Sequence, residues 1–476
     1  MYQIKNYRFI CFIAMFLVPF QVFATTYYLD SGAGSNMNDG KSASFAWKTI
    51  AKLKSVCSEF QPGDQILFKR GGNWNEDLLL NDCGTGNEVS VIAFGSYGTG
   101  NLPTLDSISI EGIQPTGSNC NYTVESSAIK AYYYIHDFIL DSAGFYARFA
   151  DNICIENVEI KKSTISAGIY TETNKNLIFR NIRSHDNKDH GAYISGNSEN
   201  IIIEDSIFYN NGGTGIQFNS AGIHNSLTGQ VTGIVNSVLR RNIFFSNKLT
   251  QINDYITDNL LFENNIVFDD ANAGAILIGE NICGSCTCSS KDNIASKNGK
   301  YYNNTIIEKT PWIEGLKIHD AVTNTMFYNN IVYMNSGNSI SFESPKIGTN
   351  SFDYNCYVGN PNTLKFLDWN KSFTQWQNTS GNPDSHSLFF SQTNQIFTKN
   401  QPDSYIKGNL LSFENSFDFH LIFSSACIDA GSDVGTMHDF DQNTRPQGNG
   451  FDIGAYEFTT VHLSDVIIIL KVLSGQ

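Results

Sequence analysis

A short apolar segment that ends in asparagine or aspartate recurs along the middle of this 476-residue chain. Three successive copies end at Asn157, Asn181 and Asp205, so the spacing from each copy to the next is constant. The longer step from Asp205 to Asn242 fits one repeat plus an insertion, which we place at 221–233. A fixed period of this length indicates a solenoid, in which each repeat packs on its neighbours.

Each repeat contains a second apolar strand that a glycine introduces. These glycines are Gly168, Gly191, Gly215, Gly274 and Gly315. Because such repeats have room for short strands but not for helices, they describe the coils of an all-β, right-handed parallel β-helix. Equivalent residues of successive coils then stack about 4.8 Å apart.

The recurring asparagines are predicted to be structural. They are Asn157, Asn181, Asn242, Asn264 and Asn329. A solenoid places a repeated position in a column, so we expect an internal ladder in which each side-chain amide bonds a neighbouring turn.

Residues 1–24 have the pattern of a secretory signal. Lys5 and Arg8 precede the apolar stretch 9–20, and a cleavage site follows at Ala24. We therefore expect a secreted, periplasmic or cell-surface protein with no integral membrane span after cleavage. The alternative is an uncleaved N-terminal anchor.

The remaining chain divides into three parts. We predict an N-terminal cap with the first strands at 25–86, the β-helix at 87–458 and an amphipathic tail at 459–476. A cap is needed because the end of a solenoid is an open sheet edge. The segment 46–60 supplies a capping helix, since its apolar residues fall on one helical face. They are Ile50, Leu53, Cys57 and Phe60.

The net charge limits the ligands that the protein can bind, and the cysteine content bears on disulfides and metal sites. The net charge of −15 excludes non-specific nucleic-acid binding and means that an acidic substrate would need a local basic patch. Nine cysteines follow the signal, which in an oxidising compartment allows up to four disulfides. For the insertion with Cys283, Cys286 and Cys288, a local disulfide is favoured over a zinc site.

Residues 27–100 and the C-terminal part resemble secreted right-handed parallel β-helix proteins of the pectate-lyase-like superfamily. The matching stretches include Trp47-Lys-Thr-Ile, Pro62-Gly-Asp and Phe94-Gly-Ser-Tyr-Gly-Thr-Gly, and later Ile428-Asp-Ala-Gly and Asp452-Ile-Gly-Ala-Tyr-Glu. The resemblance implies an exported protein that acts on a polysaccharide along the groove of one parallel sheet.

The densest set of reactive side chains lies around His190 and on the strands that stack beside it. The candidate catalytic residues are His190, Lys188, Tyr193, Glu172 and Asp186. The candidate substrate-binding residues are Arg183, His185, Tyr170, Gln217 and Asn253. Four of them are expected to form one polar column on the outside of a sheet: Tyr170, Tyr193, Gln217 and Asn253.

This set predicts a lyase that cleaves a uronic-acid-containing glycan by β-elimination. Lys188 or Arg183 would neutralise the carboxylate, His190 or His185 would act as base, and a tyrosine would act as acid. The His190-Gly191 step is similar to that of alginate and chondroitin lyases and mannuronan epimerases, but Asp189 stands where those lyases carry arginine.

Two alternatives remain open at this point. A glycoside hydrolase would use paired carboxylates, for which Glu172, Asp186 and Asp189 are candidates. A non-catalytic carbohydrate-binding or surface protein would keep the scaffold without the site. We expect a monomer whose partner is an extracellular polysaccharide. No cofactor is assigned; calcium stays open, although a hairpin is favoured over a calcium loop at 439–443.

Overall fold

The computed structural model describes residues 24–112, 116–118, 121–123, 128–220, 233–271, 273–279, 295–310, 313–334, 337–342, 347–366, 371–379, 381–391, 396–400 and 404–459. The signal segment, the Cys283–Cys288 insertion, the insertion at 221–232 and the amphipathic tail lie outside these residues. In the part of the chain that is described, no helix has the length and apolar character needed to cross a membrane.

The chain winds through three parallel sheets, which we name A, B and C in the order that each coil visits them. The coil at 177–195 illustrates the path: 177–180 lies in sheet A, 182–185 in sheet B and 192–195 in sheet C. Each strand pairs with its equivalents one coil earlier and one coil later, as the constant spacing of the repeat requires. The predicted parallel β-helix is therefore confirmed.

Sheet A begins at the N-terminal cap and runs to the last coil. Its strands are Thr26–Leu29, Gln65–Lys69, Ile92–Tyr97, the 133–136 part of Ile129–Arg148, the 153–156 part of Ala150–Lys161, the 177–180 part of Lys175–His185, Glu199–Glu204, Val238–Arg240, Leu261–Glu263, Lys300–Tyr302, Met326–Tyr328 and Ser351–Asp353.

Sheet B follows sheet A after a short turn. Its strands are the starts of Asn73–Leu79 and Thr104–Glu111, the 138–141 part of Ile129–Arg148, the 158–161 part of Ala150–Lys161, the 182–185 part of Lys175–His185, Ile207–Tyr209, Ile243–Phe245, Ile266–Asp269, Thr305–Glu308, Ile331–Met334, Cys356–Val358 and Leu388–Phe390.

Sheet C follows sheet B after a longer loop. Its strands are the ends of Asn73–Leu79 and Thr104–Glu111, the 145–148 part of Ile129–Arg148, Ile169–Glu172, Ala192–Ser195, Ile216–Asn219, Ile252–Tyr255, Ile276–Gly279, Ile313–Ile318, Gly337–Phe342 and Leu364–Phe366. The short strands Ile234–Val235 and Thr257–Asp258 lie between sheets C and A.

The remaining elements are small. They are the helices Ile50–Lys54, Phe373–Gln377 and Leu410–Ser416, the 3-10 turns Ala43–Phe45 and Cys57–Glu59, and the antiparallel pairs Thr116–Ser118 with Asn121–Thr123 and Phe397–Asn400 with Phe417–Leu421. The capping helix is shorter than the segment 46–60 that was expected. Its predicted apolar face is buried as expected: Ile50, Leu53, Cys57 and Phe60.

The asparagine ladder lies one residue later than the sequence suggested. Asn264 is the turning residue between sheets A and B, with a positive φ of 54°, and its amide donates to the backbone oxygen of His438. The next residue, Asn265, points inward and donates to Asn304 at 3.1 Å. The buried ladder consists of Asn242, Asn265, Asn304, Asn330 and Asn355.

Of the five predicted members, Asn242 alone belongs to this buried ladder. Asn181 bonds the neighbouring coil as predicted, since its amide donates to Asn157 Oδ1 at 3.3 Å, but this bond lies at the exposed turn and not inside the coils. The other four hold positive-φ turns: Asn157, Asn181, Asn264 and Asn329. An asparagine suits both positions, because it tolerates the left-handed region and its amide can both donate and accept.

A second amide chain runs beneath the loops that join sheet B to sheet C. Its members, in order, are Asn187, Asn211, Asn247, Gln251 and Asp269, and each amide donates to the next oxygen at 2.7 to 2.8 Å. Because every donor points the same way, the chain must end on an acceptor. The carboxylate of Asp269 supplies that acceptor and also receives the backbone N–H groups of Ala271 and Gly274.

Glu308 lies beside Asp269 and is fully buried. Burial, together with the charge of Asp269 and a hydrogen bond to it, raises the pKa of Glu308 to about 10. Glu308 is therefore protonated at neutral pH and shares its proton with Asp269. The stability that it contributes is complete below the usual glutamate pKa and is lost as the pH rises toward 10.

Replacing Glu308 by glutamine is expected to flatten the pH dependence of stability. Glutamine keeps a donor for Asp269 but has no proton to lose. As the pH rises, the free energy of unfolding of the wild type should therefore fall by up to about 1.4 kcal/mol per pH unit more than that of the variant. Thermal unfolding of both proteins between pH 5 and pH 9 measures this. Glu59→Gln, at an exposed position, is the control, and parallel curves for Glu308→Gln and wild type would refute the assignment.

The C-terminal segment, residues 404–459, packs across the outside of sheet B. Phe413 and Phe417 of this segment contact Phe245 and Phe268 of the coils, with ring centroids 4.3 to 5.3 Å apart. One disulfide, Cys356–Cys427, ties the segment to sheet B, and a second, Cys57–Cys83, ties the N-terminal cap to the first coils. The outer face of sheet B is thus covered in the later coils.

Candidate functional site

The outer face of sheet C carries the polar column that the sequence predicted. Tyr170 pairs with Tyr193, Tyr193 with Gln217 and Gln217 with Asn253 in the parallel register. The column begins one coil earlier, because Tyr146 pairs with Tyr170. This register confirms the stacking that the constant spacing of the repeat implied.

Strand alternation explains why these residues face outward. Ile194 and Phe218, which neighbour Tyr193 and Gln217 in their strands, are fully buried inside the coils. Successive side chains of a strand point to opposite faces, so the polar residues must lie outside. The rings of Tyr170 and Tyr193 are parallel, with centroids 5.6 Å apart, and those of Tyr146 and Tyr170 are 6.1 Å apart.

Glu172 lies beside the tyrosine column, two residues after Tyr170 in the same strand, in an ion pair with Arg148. The Nε and Nη2 atoms of Arg148 each lie 2.8 Å from Oε2 of Glu172. The hydroxyl of Tyr170 donates to the same oxygen at 3.2 Å. The Glu172 side chain is 14% exposed and that of Arg148 is 29% exposed, so the pair is accessible at the surface of sheet C.

His190 ends the loop that leads into the next strand of sheet C, and its tautomer follows from its contacts. Its Nδ1 accepts the backbone N–H of Thr214 at 3.0 Å and lies 2.7 Å from the Thr214 hydroxyl. Burial lowers the pKa of His190, although the charge of Asp189 opposes this shift. The ring is therefore neutral at pH 7, with its proton on Nε2.

The Nε2 atom of this ring lies near a carboxylate. It is 3.3 Å from Oδ1 of Asp189, whose side chain is 49% exposed. The two contacts with Thr214 fix the orientation of the imidazole. Because its lone pair is already bonded to Thr214, His190 is poorly suited to the role of base that the sequence suggested.

Tyr193 lies between the rings of His190 and Tyr170. Its ring centroid is 5.5 Å from that of His190 and stacks on Tyr170 from the other side. Burial raises the pKa of Tyr193, a side-chain hydrogen bond with Asn219 opposes the shift, and the charges of Asp189 and Glu172 raise the pKa further. Tyr193 therefore stays protonated at neutral pH.

Other predicted residues lie near this cluster or apart from it. Lys188 is exposed in the loop before Asp189. Gln217 and Asn253 continue the column on sheet C, and the Thr250 hydroxyl donates to Asn253 Oδ1. These positions are compatible with contact to a ligand on sheet C, and their roles stay predictions.

Arg183, His185 and Asp186 belong to a different face. Arg183 and His185 lie in sheet B, and Asp186 is the turning residue that follows, with a positive φ of 55°. His185 stacks on Tyr209 and lies within 3.2 Å of both Glu159 and Asp186. The structure therefore does not bring these three residues to the cluster of Glu172 and Tyr193.

Sequence reasoning missed Tyr146 and Arg148. A signal was present, because Gly144-Phe-Tyr-Ala-Arg148 precedes Gly168-Ile-Tyr-Thr-Glu172 by one repeat and has the same pattern. Extending the repeat one coil toward the N-terminus would have placed both side chains in the cluster.

No metal site is formed by the described residues: none of their His, Cys, Asp and Glu side chains gather in a group of three or more that could hold an ion. The candidate calcium loop at 439–443 is a hairpin, in which Asp439 accepts the backbone N–H of Asn443 at 2.7 Å. The sheet C cluster contains carboxylates, phenols, a guanidinium and an imidazole.

Comparisons with known proteins agree with this architecture. Residues 97–237, which include the whole cluster from Tyr146 to Thr214, match the family model described as "Right handed beta helix region". A 92-residue segment, 19% of this chain, is 32% identical to lacto-N-biosidase of Bifidobacterium longum subsp. longum and spans 6% of that protein.

Solved structures with a similar course of the chain share little sequence with it. The GH136 lacto-N-biosidase from Eubacterium ramulus aligns with a TM-score of 0.43 and 15% identity over 77% of this chain and 67% of that chain. Pectate lyase Pel9A aligns with a TM-score of 0.48 and 13% identity over 91% and 96%. On the evidence of its three wound parallel sheets and of the family match, the chain forms a right-handed parallel β-helix.

Proposed function

We propose that this protein is a polysaccharide-active enzyme that hydrolyses a glycan bound across the outer face of sheet C. The observation that carries the proposal is the row of rings His190, Tyr193 and Tyr170, which has the carboxylate of Asp189 beside its first member and that of Glu172 beside its last. Hydrolysis of a glycosidic bond commonly uses two carboxyl groups that flank the bond, one as acid and one as base or nucleophile.

The surroundings of the two acids suit different roles. Arg148 holds the carboxylate of Glu172 in one orientation and compensates its charge, which favours Glu172 as the group that attacks the sugar or activates water. Asp189 is half exposed, so a sugar bound across sheet C can reach it as the second carboxyl group. The phenol of Tyr193 would donate a hydrogen bond to a sugar oxygen.

The electrostatics of the cluster favour hydrolysis over β-elimination. Elimination needs a cation for the C6 carboxylate of a uronic acid and a base for the C5 proton. In this cluster the guanidinium of Arg148 is already paired with Glu172, and the lone pair of His190 is bonded to Thr214. The local similarity to a lacto-N-biosidase also supports a glycosidase.

Elimination is the second candidate because of Lys188. Its exposed ammonium group belongs to the loop that carries Asp189 and His190 and could neutralise a uronate that approaches from solvent. In that reaction Tyr193 would donate the proton to the leaving oxygen.

We also propose that the enzyme acts outside the cytoplasm, as the pattern of residues 1–24 suggests. Two disulfides, Cys57–Cys83 and Cys356–Cys427, support this proposal, since such bonds persist in oxidising compartments.

Product analysis tests the proposal. The full-length protein would be incubated with alginate, pectate, chondroitin and a set of neutral glycans, and reducing ends and ultraviolet absorbance would be followed together. Reducing ends without absorbance are expected, because hydrolysis adds water. Absorbance of an unsaturated product would show elimination instead, and glycan binding with neither signal would show a non-catalytic binding protein.

A further inference from the structure

A second aromatic site lies on the same face of sheet C, three coils from Glu172. The column that contains Glu172 continues through Ser195 and Asn219 to Tyr255. Tyr255 pairs with Gly279 in the next coil, and His319 follows in the coil after that, where its backbone N–H donates to Ile278 at 2.9 Å. Tyr255 and His319 are both half-buried and therefore retain an exposed surface.

The two rings form a corner over the glycine. Their centroids are 6.4 Å apart and their planes meet at 87°. A Cβ atom at Gly279 would approach ring atoms of Tyr255 at 2.9 Å and of His319 at 3.1 Å. The backbone of Gly279 does not have a positive φ, so its conformation does not require glycine. The missing side chain is needed so that the rings can meet.

We propose that Tyr255 and His319 form a distal subsite that binds one uncharged pyranose unit of the glycan cleaved at Glu172. Aromatic rings offer apolar faces to the C–H face of a sugar, while the phenol and imidazole groups can bond its hydroxyls. The proposal rests on the proposed function for the identity of the ligand, and on the ring geometry for the site itself.

The distance between the two sites sets the length of the ligand. Three coils correspond to about 14 Å along the helix axis, and the coil rise of about 4.8 Å is close to the length of one pyranose unit. A chain with its scissile bond at Glu172 therefore reaches Tyr255 with its third or fourth unit. Shorter oligosaccharides occupy the Glu172 end without touching the aromatic corner.

Binding of oligosaccharides of increasing length tests the subsite without relying on turnover. Chito-oligosaccharides and cello-oligosaccharides of two to six units would be titrated by calorimetry into the full-length protein that carries Glu172→Gln. For at least one of the two series, the affinity should be about tenfold or more higher for the hexamer than for the dimer. Adding Tyr255→Ala or His319→Ala should remove this rise and leave binding of the dimer unchanged.

Two further variants test the contact between the rings and the specificity of the effect. Gly279→Ala should weaken hexamer binding with both rings still present, because the added methyl group separates them. Tyr328→Ala, which removes a half-buried tyrosine from sheet A, is the matched control and should change nothing.

The failures of the two proposals are distinguishable. The subsite is overturned if binding does not depend on oligosaccharide length, or if neither series binds. It is also overturned if the increase of affinity with length survives in Tyr255→Ala and His319→Ala. If the rise is present and is lost in these variants while the wild type cleaves no glycan, the subsite stands and hydrolysis at Glu172 fails.

Discussion

Replacing Glu172 by glutamine is expected to lower kcat by about a thousandfold or more and to leave the fold intact. Glutamine has the same shape and keeps an oxygen for the Tyr170 hydroxyl and for Arg148, so packing on sheet C is conserved. What is lost is the negative charge, without which the side chain can neither attack the sugar nor take a proton from water. The release of reducing ends under saturating substrate measures the effect.

A matched control separates this effect from the loss of an ion pair. Glu199 is also a partly buried carboxylate in an ion pair, with Lys175, but it lies outside the outer face of sheet C. Glu199→Gln should keep activity within about twofold, because surface ion pairs contribute little. If Glu172→Gln kept more than a tenth of wild-type activity, Glu172 would not be a catalytic residue.

The largest loss of stability is expected from Asn304→Ala. The Asn304 amide donates to the Phe262 carbonyl at 2.9 Å and to Asn330 at 3.0 Å, and its oxygen accepts the backbone and side-chain N–H groups of Asn265. All of these groups are buried, and each left without a partner costs about 1–3 kcal/mol. Allowing for relaxation, we expect the free energy of unfolding to fall by about 4 kcal/mol.

Thermal and urea unfolding would measure this loss. Asn362→Ala is the control, because Asn362 is exposed in a turn and its substitution should change stability by less than about 0.5 kcal/mol. Equal unfolding curves for the two variants would contradict the view that the inner amide ladder holds adjacent coils together.

The sequence was sufficient for the fold because one coil is a local unit. The spacing between Asn157 and Asn181 determines the register of all three sheets at once, and the columns on sheet C follow from it. The fine position of the ladder did not follow. Asn264 and Asn265 are adjacent and chemically identical, and only the turn geometry decides which of them faces inward.

The site was harder to predict for a related reason. The residues from Arg183 to His190 are close in sequence, but the chain turns from sheet B to sheet C within this stretch and so divides them between two faces. Arg148 and Glu172, in contrast, are a full coil apart in sequence and touch in the structure. Residues that are close along the chain were therefore separated in the structure, whereas residues one coil apart were in contact.

The most direct test of the account is a crystal structure of Glu172→Gln with an oligosaccharide that the wild type cleaves. The sugar chain should lie across sheet C, with its scissile bond between the substituted side chain and Asp189 and with Tyr193 bonded to a sugar oxygen. A ligand bound instead on sheet A, on sheet B or on the C-terminal segment, or on sheet C with its scissile bond away from both side chains, would contradict the account.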